Sequence, residues 1–176
     1  VSKGYQHNNP LNITPLPNGA MWVGQTGTYK AGKQISVSFD TLANGIAAAL
    51  WQIHRDIVSH GYDSVYDLDA HWVDNGDTSL YLSNAKIIIK YLDPQPKTIY
   101  ERSLDGNPVQ LMQLAKGIYK TENPEAINDQ QWQAGYLAYI KNYSPLVTGQ
   151  VTNNFEDIPK IGLLAIIIMT VVYLAR

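Results

Sequence analysis

"TLANGIAAALWQIHRDIVS" (Thr41–Ser59) decides the architecture of this chain. Leu42, Ile46, Ala49, Leu50, Ile53 and Ile57 recur at spacings of three and four, which puts them on one face of a helix. An apolar stripe of that kind has to be buried against other elements. Trp51 falls near the same face and reads as core, and Gly61 stops the helix. Thr41–Ser59 therefore reads as a strong amphipathic helix.

Working outward, Met21 to Phe39 alternates loosely, with "QISVSF" (34–39) as the best strand and Gly27 to Gly32 as its turn. A small hairpin is expected there. Residues 1–20 hold three prolines and two glycines and read as irregular. On the far side, residues 63–71 suggest a short helix and "VDNGDT" (73–78) a loop. Thr78 or Ser79 can cap a helix reaching about Tyr91, with Leu82, Ala85, Ile88 and Ile89 turned inward. Pro108 opens another helix, on which Leu111, Leu114, Ala115 and Ile118 share a face. A further helix runs from about Asp129 to Asn142, with Trp132, Tyr136, Leu137 and Ile140. The fold class expected is mainly α with a small N-terminal β-hairpin.

The chain of 176 residues is long enough for one domain with its own core. Its net charge is −2, with no basic block, so nucleic acid is not an expected partner. It has no cysteine, which excludes disulfides and thiolate catalysis. The N-terminus lacks the basic and apolar regions of a cleaved signal peptide.

The end of the sequence departs from this pattern. "IGLLAIIIMTVVYLA" (161–175) has no charge, and its apolar side chains surround the helix instead of lining one face. Such a helix belongs inside protein or lipid. Fifteen residues span roughly 22 Å, short of a ~30 Å hydrocarbon layer, but Lys160 and Arg176 can extend the reach by snorkelling. The division expected is a helical domain over 1–147, a linker over 148–157 and a single transmembrane anchor helix over 158–176. A lipid membrane is then an expected partner.

Among features that carry chemistry, "LMQLAKGIYKTENPEAIND" (111–129) is the sharpest. Glu122 closes a helix that Asn123–Pro124 prevents from continuing. A carboxyl on a last turn faces the negative end of the helix dipole, which raises its pKa. A protonated carboxyl is what general-acid cleavage of a glycosidic bond requires. The same pattern also fits a solvated Glu at a helix end. Glu101, Asp105, Glu125 and Asp129 are nearby in sequence as second carboxylates, though a single Glu acting as acid and then base suffices for lyase-type cleavage.

No cofactor or metal is expected. "DNGDT" (74–78) lacks the ligand spacing of a calcium loop, His54 and His60 are not spaced as a helical metal pair, and His7 and His71 stand alone. No nucleophile elbow or phosphate-binding loop is present. Twelve tyrosines and four tryptophans suit sugar stacking as well as core packing, with Trp22, Trp72 and Trp132 open to either.

The order of short motifs adds a resemblance. "KGYQHNNPLNI" (3–13) resembles the R-G-x-R-N-N-N-P-G-N-I opening of a phage virion-associated family of structural or peptidoglycan-degrading, lysozyme-like proteins. "WVGQTG" (22–27), "SFDTLANGIAAAL" (38–50), "HWVDNGDTSLYL" (71–82) and "LMQLAKGIYKTEN" (111–123) are similar to later blocks of that family, in order. The segment from Leu114 through "AGYLAYI" also resembles the helix–Glu–loop arrangement of lytic transglycosylases.

The resemblance implies a lysozyme-like α+β fold with Glu122 as the catalytic residue. It implies Asn8, Asn9, Asn12, Trp72, Asp77, Thr78, Tyr81, Asn123 and Tyr136 as substrate-binding or supporting residues. The implied activity is a muramidase or lytic transglycosylase acting on peptidoglycan during phage entry. The implied setting is a phage virion, the protein being made in the host cytoplasm; the hydrophobic tail, which is not part of the resemblance, suggests a virion that contains a lipid membrane. The alternative is a non-enzymatic structural membrane protein of the virion that links the internal membrane to capsid or vertex, partnered by other virion proteins. Gln6, Leu11, Ala47 and Pro124 depart from the family pattern, replacing Arg, Gly, Arg and Gly.

Overall fold

The computed structural model describes residues 2–73, 77–123 and 126–151. The chain divides into a unit over Val1–Tyr143 and a second over Ser144–Arg176. In chain order the first unit contains a short helix α1 (Lys3–Gln6), strands β1 (Gln25–Ala31) and β2 (Gln34–Phe39), and helices α2 (Leu42–Val58), α3 (Val65–Val73), α4 (Thr78–Ile88) and α5 (Pro108–Glu122). Helix α6 (Asp129–Val151) begins in this unit and runs past the expected end at Asn142. The architecture is mainly helical with one two-stranded antiparallel hairpin.

Helix α2 is the centre of the core. Thr41 caps its first turn by accepting the Asn44 N–H at 3.2 Å. Ile46, Ala47, Ala48, Ala49, Leu50 and Ile53 are fully buried, so three successive alanines allow neighbouring backbone to come close. Two glycines mark how close. A Cβ on Gly45 would collide with the Asn8 carbonyl oxygen of the opening loop, and one on Gly135 of α6 would collide with the Ile46 side chain. Beyond α2, α3 packs on α4 and α4 on α5.

The hairpin pairs Thr28 with Val37 and Ala31 with Gln34, reversing at Gly32, whose φ of +62° suits glycine. Gly27, expected in the turn, instead sits at a register shift beside Gln25. Val37 and Phe39 of β2 turn into the core. Pro108 begins α5 as expected, with Asn107 capping it by accepting the Gln110 N–H at 3.0 Å. Trp22 and Trp132 are core residues: Trp22 meets Trp51 edge-on at 5.3 Å, and Trp132 meets Tyr119 edge-on at 5.8 Å.

The expectation of a C-terminal transmembrane helix needs correction. Among the described residues no helix is long and apolar enough to cross a membrane. Helix α6 has the length, at 23 residues, but carries Asp129, Gln130, Gln131, Gln133, Lys141 and Asn142, too much polarity for hydrocarbon. The segment 158–176, where the anchor was expected, lies outside the described residues, as do 152–157.

Candidate functional site

The opening loop is built by its asparagines. Asn8 and Asn12 both adopt left-handed backbone, with φ of 55° and 54°, a conformation Asn tolerates better than most residues. Asn9 is fully buried, and its amide is completely engaged. It donates to the carbonyls of Ile13 and Val37 at 2.8 Å each and accepts from the Ile13 N–H at 2.8 Å. Asn8 donates to the Phe39 carbonyl at 3.0 Å. These two side chains fix the loop to β2, so the Asn9 amide and the Asn8 donor are spent on the fold.

Asn12 faces the other way. Its amide N–H donates to Glu122 Oε2 at 2.9 Å, and its amide oxygen accepts from the Tyr29 hydroxyl at 3.2 Å. Asn123, buried next to Glu122, donates to the Pro10 carbonyl at 2.8 Å. The loop therefore grips the end of α5 twice, at Pro10 and Asn12. Gly4 makes this possible, since a Cβ there would stand 2.8 Å from the Asn12 amide oxygen.

Glu122 is the last residue of α5 and is half-buried. Burial pushes its carboxyl up to about 7. The Asn12 hydrogen bond pulls it down, and the Asp69 carboxyl raises it further. Burial in the folded chain is thus the leading cause, where the sequence pointed to the helix end. Asp69, on α3, is fully buried, and among the described residues neither carboxyl oxygen has a hydrogen bond of ordinary geometry. Burial pushes it, too, up to about 7, while the nearby Asn84 side chain acts in the opposite direction. The influence runs from Asp69 to Glu122, and burial leaves each acid holding its proton near neutrality. The Tyr29 phenol is also raised, by its own burial first and more weakly by Glu122.

Asn12 also lines a cavity of about 420 Å³ between the loop, α2 and α3. Trp72, Gln52, Asp56 and His71 share this lining; Glu122 and Asp69 do not, so Asn12 is the link between cavity and acid. Trp72 is half-buried and lines the cavity.

The remaining residues singled out in the sequence are engaged elsewhere. Asp77, not Thr78 or Ser79, caps α4: its carboxylate accepts the N–H groups of Ser79 and Leu80 at 3.0 and 3.2 Å. The Ser79 hydroxyl bond and these backbone bonds hold that carboxyl below the usual range. Thr78 is the exposed first residue of α4, and Tyr81 is buried against Tyr66. Tyr136 is half-buried beside Tyr139 on α6. Leu11 and Ala47, which stand where the resemblance has Gly and Arg, are core residues. Pro124 and Glu125 lie outside the described residues.

Sequence reasoning missed Asp69. Its position was legible as an acid on the apolar face formed by Val65, Leu68 and Trp72. It also missed that His60 and His71, separate in sequence, converge on Asp56.

No protein-family model matches this chain, and no curated protein matches it.

Proposed function

We propose that this chain is a virion-associated phage protein that cleaves peptidoglycan during entry, as a muramidase or lytic transglycosylase with Glu122 as its acid. The observation that carries this reading is the Glu122 carboxyl, pushed up to about 7 at the end of α5 and held at 2.9 Å by Asn12. A proton retained near neutrality can pass to the glycosidic oxygen as the bond breaks. The resulting carboxylate, steadied by the Asn12 N–H, then takes a proton from the attacking hydroxyl. That hydroxyl is water in a muramidase and the sugar's own in a transglycosylase, so the same Glu serves both.

The test is release of soluble glycan from peptidoglycan by the full chain, wild type beside Glu122→Gln. The variant should retain the wild-type circular dichroism spectrum and lose at least about 100-fold in rate, the usual scale of acid–base catalysis. The mass of the products separates hydrolysis, which adds water, from the lyase-type reaction, which does not.

A second reading, a non-enzymatic structural protein of the virion, is favoured by one specific observation. Leu11 and Ala47 are buried core residues at positions where the resemblance has Gly and Arg, as expected of a fold kept for packing. Silence from folded wild type on several peptidoglycan types favours this second reading over the first.

A further inference from the structure

Asp56, His60 and His71 come together at the C-terminal end of α2. Asp56 is on the last turn of that helix, His60 is one turn further along the chain, and His71 reaches across from α3. His60 Nδ1 is 3.1 Å from Asp56 Oδ1, and His71 Nε2 is 3.9 Å from the same oxygen. All three potential ligand atoms lie within 4.8 Å of one another. Donors bound tetrahedrally at 2.0–2.2 Å stand roughly 3.4 Å apart. Small ring movements therefore close the set around one ion. The two imidazoles are free to make them, being 42% and 41% exposed, whereas the Asp56 side chain is 1% exposed and fixed.

The surroundings fit a cation. Gln52 Nε2 donates to both Asp56 oxygens, at 2.9 and 3.0 Å, which orients the carboxylate and leaves lone pairs for an ion. Tyr62 stacks on His71 at 4.5 Å and meets His60 edge-on at 5.9 Å, an aromatic neighbour to both rings. Arg55 pairs with Asp56 Oδ1 only at a long 3.9 Å, with its guanidinium lying over the Trp51 ring at 5.1 Å. The negative end of the α2 dipole adds to the attraction.

We propose that Asp56, His60 and His71 form a divalent-metal site of the zinc type. Two imidazoles and one carboxylate are a three-ligand set that leaves a position for water. Asp56 and His71 both line the cavity of about 420 Å³, so that open position faces it. A closed structural site would need a fourth protein ligand. The inference rests on different residues from the Glu122 proposal and does not depend on it.

The test uses full-length protein freed of metal by a chelator. It is titrated with zinc against a chromophoric competitor, and with cobalt(II) followed in the visible spectrum. The expected result is one equivalent bound, with the absorption of four- or five-coordinate cobalt and a rise in melting temperature on adding zinc. His60→Ala and His71→Ala should each weaken binding at least about tenfold, while His54→Gln, outside the cluster, leaves it unchanged. No stoichiometric binding by wild type overturns the site without recourse to any variant. Binding that survives both cluster substitutions overturns it as well, showing His60 to be a hydrogen-bonding partner of Asp56 and His71 a neighbour, and no more.

Discussion

Glu122 and Asp69 have a consequence for stability that can be read at the level of single residues. In the folded chain each keeps its proton up to about 7; in the unfolded chain each releases it near its ordinary value, 4.5 for Glu122 and 3.8 for Asp69. Between those limits the folded state binds more protons, so stability is full below about 4 and falls as pH rises toward 7. The loss is on the order of several kcal/mol for the two groups together. Urea denaturation of wild type at pH 5 and pH 8 should show it, and Asp69→Asn should show a smaller difference. The same substitution removes a neighbouring negative charge, so any activity of the Glu122 acid should fall off at a lower pH than in wild type. Asn12→Ala works in the opposite sense on Glu122, because it removes the bond that favours the carboxylate; its activity should persist to higher pH. The elevated carboxyl was legible at Glu122 from a helix end followed by Asn-Pro. Its main cause was not, because burial is a property of the packed chain.

At the scale of elements, what could be read was what local pattern determines. The apolar stripe of Thr41–Ser59 gave α2, the alternation in "QISVSF" gave β2, and Pro108 gave the start of α5. What could not be read was where backbone groups find their partners. Asp77 caps α4 in place of the two hydroxyl residues after it, since its carboxylate reaches two N–H groups at once. The opening loop is the stronger case. Its Asn-Pro composition indicated a turn rich in hydrogen bonds, but not that Asn9 would satisfy three buried backbone groups on the loop and β2. Asn9→Ala should therefore destabilise the fold by about 3 kcal/mol, measured by urea denaturation: the Ile13 carbonyl keeps the Val37 N–H at 2.9 Å, while the Ile13 N–H and the Val37 carbonyl lose this buried partner at about 1–3 kcal/mol each. Gly45→Ala should cost about 1–3 kcal/mol, because the added methyl meets the Asn8 carbonyl oxygen and the loop must move off α2.

At the scale of the molecule, the candidate site joins residues 110 positions apart, Asn12 and Glu122. The opening loop draws the hairpin, α2 and α5 to one place, with α3 supplying Asp69 behind them. No periodicity reports a contact at that separation. The resemblance of ordered motifs put Asn12 and Glu122 in one site, and it carried no hint of Asp69 or of the Asp56–His60–His71 cluster. The whole functional account rests on this assembly holding a proton on Glu122 at neutral pH. The most direct measurement is a ¹³C NMR titration of the carboxyl carbons of glutamate-labelled full-length protein, with Glu122→Gln identifying the resonance. The account predicts a midpoint near 7, shifting downward in Asp69→Asn. A Glu122 midpoint near the ordinary 4.5 would contradict it, leaving a carboxylate already ionised at neutral pH and unable to serve as the acid.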